Sequence, residues 1–504
     1  MLLTLDKAPG KPLAAQIRAQ LLELLGRGTL RVGECLPSTR QLAEQLGVHR
    51  TTVAEAYQEL WSLGWLELRP GSRARVRSRT GLAPARPGPA AAGACPTEAR
   101  TDPAATDAFP WAAHMGGVAQ GLVDRAARPA PVGDGVISFR SMTMDPRLIP
   151  AETFRGCLAR VLRRRGAALL GYGAREGFRP LREYLARRLA GYGIQAGPDE
   201  ILLTHGSQQA LDLVFRMLGP GRRIALENPS YEQVFLLLEL AGQTPVPVPM
   251  GRDGLDLDAL EACCERDPPA LLYTMPNFHN PMGISTSQSH RERLLALCGR
   301  FGVPILEDGF EEEMKYFGRV TLPIKSMDRR GGVIYCGTFS KVLLPGIRVG
   351  WLVAPPTCIR TLAALRRVSE LCPDQVLPAA LHAFCESGHY DLHLSRMHRV
   401  FRSRLRAALA ALREFMPPGR VRWQEPVGGY LLWLELSGPA DLDWEAHCAA
   451  HGVEVCAGSR FFLGPAPATR LRLSISTLDE AQIREGLRRL GQAIACSPGP
   501  EAGR

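Results

Sequence analysis

Between residues 201 and 353 the sequence alternates short apolar segments with longer amphipathic ones. The short segments are typical of buried strands and read ILLTHG, RIALEN, TPVPVPM, ALLYTMP, VPILEDG, GGVIYCGTF and GWLVAP. Helical runs such as SQQALDLVFRML and SHRERLLALCGRF separate them. Strands that alternate with helices indicate a mostly parallel sheet with helices on both faces. An α/β fold is therefore predicted for the larger part of the chain.

The pattern changes after about Asp391. A long basic helix is predicted from His393 through Leu412, followed by the strand-like segments VRWQEP, GYLLWLEL and TRLRLSIS. We expect this part to form a smaller α+β subdomain at the end of a large domain that spans residues 135–504. A chain of 504 residues is too long for one ordinary domain, so at least one more is expected.

The first 79 residues have the pattern of a small helical domain. Apolar residues at helical spacing predict a first helix over Leu13–Leu25. A second helix, over Thr39–Leu46, begins with a serine capping box and stops at a glycine. A third helix follows a two-residue turn and runs to about Leu63. Two short helices joined by a glycine turn make a helix-turn-helix.

A pair of short strands follows these helices. Trp65–Leu68 and Ala74–Arg77 flank a Pro-Gly turn, which is typical of a two-stranded wing. A recognition helix reads base edges with its first residues, which here are His49, Arg50, Thr51 and Thr52. Arginines suited to DNA phosphates are Arg40 and, in the wing, Arg69, Arg73 and Arg75. Any one of these arginines could be a solvated surface charge, but the set predicts binding of double-stranded DNA.

Residues 80–134 are rich in Ala, Pro and Gly and contain few large apolar residues. Such a segment cannot bury enough surface to fold by itself, so we predict a linker between the two domains. Trp111, His114 and Met115 are candidates for docking on the large domain, unless they are loosely ordered.

The composition narrows the possible functions. No apolar run approaches the roughly 20 residues that span a bilayer, and the N-terminus lacks the order of a signal peptide. The 13 cysteines are scattered without a CxxC pair. We therefore expect buried thiols in a reducing cytoplasm, with no disulfide framework and no metal site. A net charge of +11 is compatible with a polyanionic partner but does not establish one.

The segment GTFSKVLLPGIRVG combines an amine with groups that bind phosphate. Lys341 follows two hydroxyl residues, Thr338 and Ser340, and Arg348 lies in a glycine-flanked turn. An amine that condenses with an aldehyde needs surroundings that lower its pKa, and a phosphate ester needs hydroxyls and a guanidinium. A lone lysine is more often a solvated charge. This lysine follows a predicted strand, however, and ligands collect at strand ends in α/β sheets.

Other predicted strands also end in polar residues. Ser207 and Gln208 open a helix after ILLT, where they suit a phosphate, although an ordinary N-cap is the simpler interpretation for a lone serine. Tyr231 follows RIALEN, and Asn280 follows ALLYTMP. Asp308 ends a buried strand and needs a partner there, such as a protonated pyridine nitrogen. Their shared position at strand ends predicts one site.

The segment Lys11–Val76 resembles a GntR-type winged helix-turn-helix domain. PLAAQI, LPSTRQLAEQLGVHRTTVAEAYQEL and GWLELRPGS match the pattern of that family in order and spacing. The resemblance implies a DNA-binding domain. The wing departs from the family at SRARV, where a glycine-threonine-aromatic run is common.

The region from Val136 to about Gly491 resembles class I/II aminotransferases of the pyridoxal-phosphate (PLP) fold type I. The resemblance rests on GTFSKVLLPGIRVG, ENPSY, HNPMG, LEDGF, LRLSIS and LGYGAREGFRPLR. It implies that Lys341 forms an internal aldimine with PLP, and that Asp308 pairs with the pyridine nitrogen. Asn280 would bond the 3-hydroxyl oxygen.

The same resemblance implies roles for further residues. Tyr231 would stack on the ring, and Arg472 would bind the carboxylate of an amino acid ligand. The phosphate would be held by Ser207, Gln208, Thr338 and Arg348, with Tyr172 reaching the phosphate of a partner subunit. Such sites are built from two subunits, so a homodimer is implied. Two positions depart from the pattern: Phe310 replaces a common tyrosine, and Met142 replaces a common glycine.

A GntR winged helix joined to an aminotransferase-like domain resembles the MocR family of bacterial regulators. The resemblance implies a PLP-dependent transcriptional regulator that binds operator DNA as a head-to-tail homodimer. It would sense PLP, a small amino acid or amine, or both, through the aldimine at Lys341. An active aminotransferase with secondary DNA binding is the alternative. A third possibility is a sensor of PLP alone, in which Arg472 is a structural ion-pair partner.

Overall fold

The structure is a computed structural model that describes residues 3–6, 12–68, 72–77, 111–125, 133, 135–318, 321–439 and 441–498. The chain divides into two compact units, Met1–Ala108 and Phe109–Arg504. Each unit has its own apolar core. No helix among these described residues is long and apolar enough to cross a membrane.

The small unit is a winged helix-turn-helix, as predicted. Its elements are α1 (Leu13–Gly26), α2 (Thr39–Leu46), α3 (Arg50–Ser62), β1 (Leu66–Glu67) and β2 (Arg75–Val76). The two strands pair antiparallel to form the wing. Ile17, Leu42, Val53 and Leu60 lie in the buried core between the three helices and the wing.

The ends of α2 follow from local chemistry. The Ser38 hydroxyl accepts a hydrogen bond from the Gln41 N–H, and the Gln41 side chain accepts one from the Ser38 N–H, which completes the predicted capping box. Gly47 ends the helix with a φ of 58°, a left-handed conformation that favours glycine. His49 precedes α3 as its N-cap, so it is not the first helical residue.

The large unit is built on an eight-stranded sheet. In chain order the strands of this unit are β3 (Ile137–Ser138), β4 (Ile201–Thr204), β5 (Arg223–Asn228), β6 (Thr244–Gly251), β7 (Gly254–Leu255), β8 (Leu271–Thr274), β9 (Ile305–Asp308), β10 (Val333–Thr338), β11 (Gly350–Val353), β12 (Val421–Trp423), β13 (Leu431–Leu436), β14 (Val453–Glu454), β15 (Cys456–Ala457) and β16 (Thr469–Ser474). The order in the main sheet is β4-β11-β10-β9-β8-β5-β6-β7. The central strand pairs are parallel, which confirms the predicted fold class. There are two antiparallel exceptions: β11 is antiparallel to both of its neighbours, and β7 is antiparallel to β6.

Helices cover this sheet and form much of the rest of the unit. They are α4 (Gly117–Arg125), α5 (Ala151–Leu169), α6 (Arg179–Ala190), α7 (Ser207–Leu218), α8 (Glu232–Leu240), α9 (Leu257–Arg266), α10 (Gln288–Phe301), α11 (Ile324–Met327), α12 (Pro356–Glu370), α13 (Val376–Glu386), α14 (His389–Phe415), α15 (Trp444–Ala450) and α16 (Glu480–Cys496). Because β4, β5, β8, β9 and β10 point the same way, their carboxyl ends meet at one edge of the sheet.

The predicted smaller subdomain is present. Its antiparallel sheet has the order β12-β13-β16-β15, and α14 and α16 pack together beside it. β14 pairs in parallel with β3, which joins the start of the large unit to this subdomain. The arrangement brings β16, and with it Arg472, next to the main sheet.

Part of the predicted linker is helical. Trp111–His114 forms a short 3-10 helix, and α4 follows it and packs against α8. Composition alone missed this helix because a tertiary contact stabilises it. Trp111 and Met115 each have more than half of their surface exposed. The remainder of residues 80–134, apart from 133, lies outside the described residues.

Candidate functional site

A cavity of about 600 Å³ lies at the carboxyl edge of the main sheet. It gathers eight of the ten residues predicted to bind the cofactor or a ligand, namely Ser207, Gln208, Tyr231, Asn280, Asp308, Lys341, Arg348 and Arg472. These residues come from five strand ends or helix starts and from β16 of the smaller subdomain. The fold therefore brings together groups that are up to 265 residues apart in sequence, from 207 to 472.

Lys341 follows β10 and extends its amine into the cavity. Its Nζ donates a hydrogen bond to the carbonyl oxygen of Met142 at 3.0 Å. Burial is the main factor that lowers the pKa of Lys341, and the charges of Arg472 and Arg348 add to this effect. A lysine with a lowered pKa has more of the neutral amine that attacks a carbonyl group.

Asp308 is the last residue of β9 and is almost fully buried. The Tyr273 hydroxyl donates a hydrogen bond to its Oδ2 at 3.0 Å. Its Oδ1 has no hydrogen-bond partner among the described residues. Burial raises the pKa of Asp308 from 3.8 to about 6. A buried carboxylate with one unpartnered oxygen is suited to a cationic or N–H-bearing ligand.

Another part of the cavity is suited to an anion. The helix α7 begins at Ser207 without a side-chain cap, so its first N–H groups are available to a ligand. Arg348 lies beside this helix start, where its guanidinium donates to the His205 carbonyl at 3.0 Å and to the Ser340 hydroxyl at 3.3 Å. A Cβ on Gly206 would lie 2.7 Å from this guanidinium, so only glycine leaves the space open.

Arg472 lies on β16 with only 7 % of its surface exposed. Its guanidinium donates to the Asn280 side-chain oxygen at 3.4 Å and to the Arg140 carbonyl at 3.0 Å, and it lies 4.8 Å from the centre of the Phe461 ring. No carboxylate forms an ion pair with it within the described part of the chain. A buried guanidinium without an acidic partner favours a ligand carboxylate over a structural ion pair.

Two predicted residues lie elsewhere. Thr338 does not line the cavity, because its hydroxyl points back and donates to the Val349 carbonyl at 3.4 Å. Tyr172 is 87 % exposed and also lies outside it. The two departures from the family pattern do line it: Phe310 has no hydroxyl to offer, and Met142 holds the amine of Lys341 through its carbonyl.

Sequence reasoning missed several residues of the site. Tyr273 is part of a strand motif, but nothing in the sequence shows that its hydroxyl reaches Asp308. The sequence names Ser340 and Arg348 as groups suited to a phosphate, but it does not show that they contact each other, as they do in the structure. Arg140 lines the cavity and forms an ion pair with Glu445 at 2.9 Å. These partners are set by tertiary packing.

The predicted DNA-binding residues of the small unit lie on its surface. Arg40, His49, Arg50, Thr51 and Arg73 are exposed, and Thr52 is half-buried. The His49 ring lies 2.7 Å from the Thr51 hydroxyl, and Arg50 donates to the Thr39 hydroxyl at 3.3 Å. These contacts fix the start of α3. Arg69 lies outside the described residues.

Comparisons with known proteins agree with both halves of this description. The family "Aminotransferase class I and II" matches residues 154–490, and the family "Bacterial regulatory proteins, gntR family" matches residues 13–76. The HTH-type transcriptional regulator TauR of Rhodobacter capsulatus is 33% identical over 97% of this chain and 98% of its own length. The chain belongs to the MocR-type regulators.

Enzymes also resemble the large unit. The 2-aminoadipate transaminase of Thermus thermophilus is 38% identical, over 71% of this chain and 90% of the enzyme. LysN, the alpha-aminoadipate aminotransferase of the same species, has a crystal structure that superposes on this chain with a TM-score of 0.69 and 34% sequence identity. The superposition covers 77% of this chain and 98% of LysN, and that crystal structure is complexed with N-(5'-phosphopyridoxyl)-L-leucine. The resemblance to these enzymes is limited to the large unit, whereas the resemblance to TauR extends over both units.

Pyridoxal phosphate is accordingly the cofactor of the large unit. The residues present fit this group. The unpartnered Oδ1 of Asp308 is suited to a pyridinium N–H, and the uncapped start of α7 with Arg348 is suited to a phosphate. The amine of Lys341 lines the same cavity.

In the cofactor-free protein, Asp308→Asn should increase stability in a pH-dependent way. Below pH 3.8 Asp308 is protonated in the folded and unfolded states alike, so the variant should gain nothing. As the pH rises from 3.8 to about 6, the unfolded wild type ionises Asp308 while the folded protein keeps it protonated, so the wild type loses stability that the variant retains. The gain in unfolding free energy should reach up to about 3 kcal/mol above that pH. Thermal unfolding between pH 4 and 8 checks it; a gain independent of pH would contradict the assignment.

Proposed function

We propose that this protein is a DNA-binding transcriptional regulator that senses PLP, an amino compound or both at the cavity around Lys341. One observation carries the proposal: the same chain has a winged helix-turn-helix and a cavity in which Arg472 has no acidic partner within the described residues. An enzyme of this fold has no need of the small unit, and a simple repressor has no need of this cavity.

In the proposed site each residue has one task. When bound, PLP supplies an aldehyde and an electron-withdrawing ring. Lys341 would attach to it covalently, Asp308 would keep its ring nitrogen protonated and Asn280 would bond its 3-hydroxyl oxygen. Tyr231 would stack on the ring. The phosphate would be held by Ser207, Gln208 and Arg348, and the Ser340 hydroxyl would support the Arg348 guanidinium.

The proposed effector carries a carboxylate and an amino group. The carboxylate would bind Arg472, and the amino group would compete with Lys341 for the same aldehyde. A ligand shifts DNA binding only through different affinities for two arrangements of the protein. Displacement of Lys341 from the cofactor is a covalent event that could favour one arrangement over another.

A homodimer completes the proposal. Tyr172 is 87 % exposed in a single chain, which supports a role at the site of a partner subunit over a role in its own site. Two small units in a dimer would contact repeated DNA sites with Arg50, Thr51 and Thr52 of each recognition helix. Arg40, His49, Arg69 and Arg73 would contact phosphates and flanking bases.

Transaminase activity is a second candidate function. The resemblance to 2-aminoadipate transaminase and the eight predicted residues that line the cavity favour it. A single-turnover absorbance spectrum with a panel of amino acids separates the two. Conversion of the cofactor to its amine form supports an enzyme, whereas a stable ligand complex supports a sensor.

Operator binding tests the proposal. The purified protein should bind DNA from upstream of its own or a neighbouring gene, with an affinity that falls steeply with salt. Arg50→Ala should weaken this binding by about 1–3 kcal/mol, and Arg163→Ala in the large unit is the matched control that should not. Failure to bind any such DNA above the non-specific level would contradict a regulatory role.

Lys341→Ala should abolish the visible absorbance band of the PLP-loaded protein, because no other amine lines the cavity in the described part of the chain. The winged helix is built from separate residues, so the variant should still bind DNA. Lys315→Arg, at a lysine outside the cavity, should keep the band. A band that survives Lys341→Ala would show that a different residue holds the cofactor.

Arg472→Ala should weaken the response to amino acid effectors by about tenfold or more, since the lost bond is a charged one in a buried site. Responses to amines without a carboxylate should change little. Isothermal titration with matched pairs, such as an amino acid and its decarboxylated amine, measures the difference. Equal loss for both ligands would assign Arg472 a structural role.

A further inference from the structure

Glu227 and His279 form a buried pair that the proposed function does not use. Glu227 lies near the end of β5, and His279 lies in the loop that follows β8. Both side chains are almost fully buried, and Glu227 Oε2 lies 3.2 Å from His279 Nε2. Neither residue lines the cavity around Lys341. A carboxylate and an imidazole are costly to remove from water, so the pair needs an explanation.

The carboxylate of Glu227 ties two strand ends together. The Thr274 hydroxyl donates a hydrogen bond to its Oε1 at 2.6 Å, and the Met275 N–H donates one to its Oε2 at 2.9 Å. Thr274 is the last residue of β8, and Met275 begins the loop. His279 approaches the same Oε2 from further along this loop. Glu227 therefore holds the loop at two separate points.

The contacts of His279 determine which ring nitrogen carries the proton. Nδ1 accepts a hydrogen bond from the Met282 N–H at 3.4 Å, so it carries no proton itself. The proton is thus on Nε2, which faces the carboxylate of Glu227 at 3.2 Å, where a bare nitrogen would be repelled. The angle of this contact falls short of a hydrogen bond, so the attraction is electrostatic and acts at close range.

The backbone of His279 closes the turn that contains Asn280. Its N–H donates to the Ile284 carbonyl at 2.8 Å, and its carbonyl accepts from the Gly283 N–H at 2.6 Å. His279 thus uses both backbone groups and Nδ1 within the turn, and Nε2 on Glu227. Asn280 is the next residue, so these contacts fix the point from which its side chain extends.

The side chain of Asn280 has a defined orientation in the cavity. It is 4 % exposed, and its Oδ1 accepts a hydrogen bond from the Arg472 guanidinium at 3.4 Å. A guanidinium can only donate, so the amide oxygen faces Arg472 and the amide N–H group is left for a ligand. A shift of the turn would turn this N–H group away from that ligand.

We propose that Glu227 and His279 are positioning residues, which hold the amide N–H of Asn280 toward the 3-hydroxyl oxygen of the cofactor. Each is the first residue of a motif whose later member lines the cavity: ENPSY ends in Tyr231, and HNPMG contains Asn280. The pair acts only through the turn between His279 and Ile284. This inference rests on the function proposed above for Asn280.

Binding of PLP and of its analogue without the 3-hydroxyl group tests the proposal, measured by equilibrium dialysis on the full-length protein. His279→Ala should weaken PLP binding by about three- to tenfold, which is the effect of losing one hydrogen bond. Binding of the analogue should stay at the wild-type level, because it offers Asn280 no oxygen. Equal losses for both compounds would give the pair a structural role only and overturn the proposal.

His447→Ala is the matched control for this experiment. The ring of His447 also contacts a backbone carbonyl, that of Ala493 at 2.8 Å, and it lies outside the cavity. This variant should bind both compounds as the wild type does. A preferential loss of PLP binding in His447→Ala equal to that in His279→Ala would contradict a specific role for His279.

A double variant shows whether His279 acts through Asn280. Asn280→Ala alone should weaken PLP binding at least as much as His279→Ala does. The variant with both substitutions should bind PLP as weakly as Asn280→Ala and no more weakly, because the two residues serve one contact. Losses that add in the double variant would contradict the proposal.

Should His279→Ala fail to fold, Glu227→Gln gives the same comparison. The amide keeps the shape of the side chain but removes the charge that attracts His279, so PLP binding should fall while analogue binding should not. Glu307→Gln is its control, because Glu307 is equally buried and accepts the N–H groups of Ile324 and Lys325 at 2.8 Å, outside the cavity. Wild-type affinity for PLP in Glu227→Gln would overturn the proposal.

Hydrogen exchange in the cofactor-free, full-length protein gives a separate readout. The N–H groups of residues 279–284 should exchange at least about threefold faster in His279→Ala, because the turn loses contacts that close it. His447→Ala should leave their exchange rates unchanged. If the wild type binds no PLP, the proposed cofactor role fails, while exchange still decides whether the pair holds the turn. Unchanged exchange in His279→Ala would overturn this inference alone, so the two failures are distinguishable.

Discussion

The large unit buries charged side chains that lack a partner among the described residues. The rest of its structure depends on this constraint. Asp308 has one carboxylate oxygen without a hydrogen-bond partner among the described residues, and Arg472 lacks an acidic partner there. A protein core normally pairs such groups, because an unpaired buried charge costs several kcal/mol. The parallel strands concentrate these charges at one edge of the sheet, where a ligand with a cationic ring, a phosphate and a carboxylate would neutralise them. The site is thus built for a bound molecule of that description.

The same constraint explains why a regulator could use this fold. An enzyme and a sensor need the same recognition of cofactor and amino compound, and they differ in the event that binding triggers, which is turnover in one and a change in DNA affinity in the other. The large unit resembles transaminases, and the small unit resembles the DNA-binding domain of GntR regulators. The winged helix has its own apolar core and a capping box at the start of α2, so contacts within the small unit stabilise its fold.

The sequence predicts much of this because its signals are local. Strand ends are marked by short apolar runs, so the sequence alone places Asp308, Lys341 and the start of α7 at one edge. Partners that depend on packing could not be predicted. The Tyr273 hydroxyl, for example, reaches Asp308 across neighbouring strands. Thr338 is predicted as a phosphate ligand because the sequence does not show that its hydroxyl turns to the Val349 carbonyl, while the Ser340 hydroxyl contacts Arg348. The helix α4 was missed because its contact with α8 is tertiary.

In the proposed function, one free energy of coupling links ligand binding in the cavity to DNA binding by the winged helix. The most direct measurement is the affinity of the PLP-loaded protein for its operator with and without a saturating amino acid, paired with the affinity for that amino acid with and without operator. We predict that both affinities change by the same factor, about fivefold or more, since coupling between two sites is reciprocal. Operator affinity that is the same with and without PLP and every amino acid tested would contradict it.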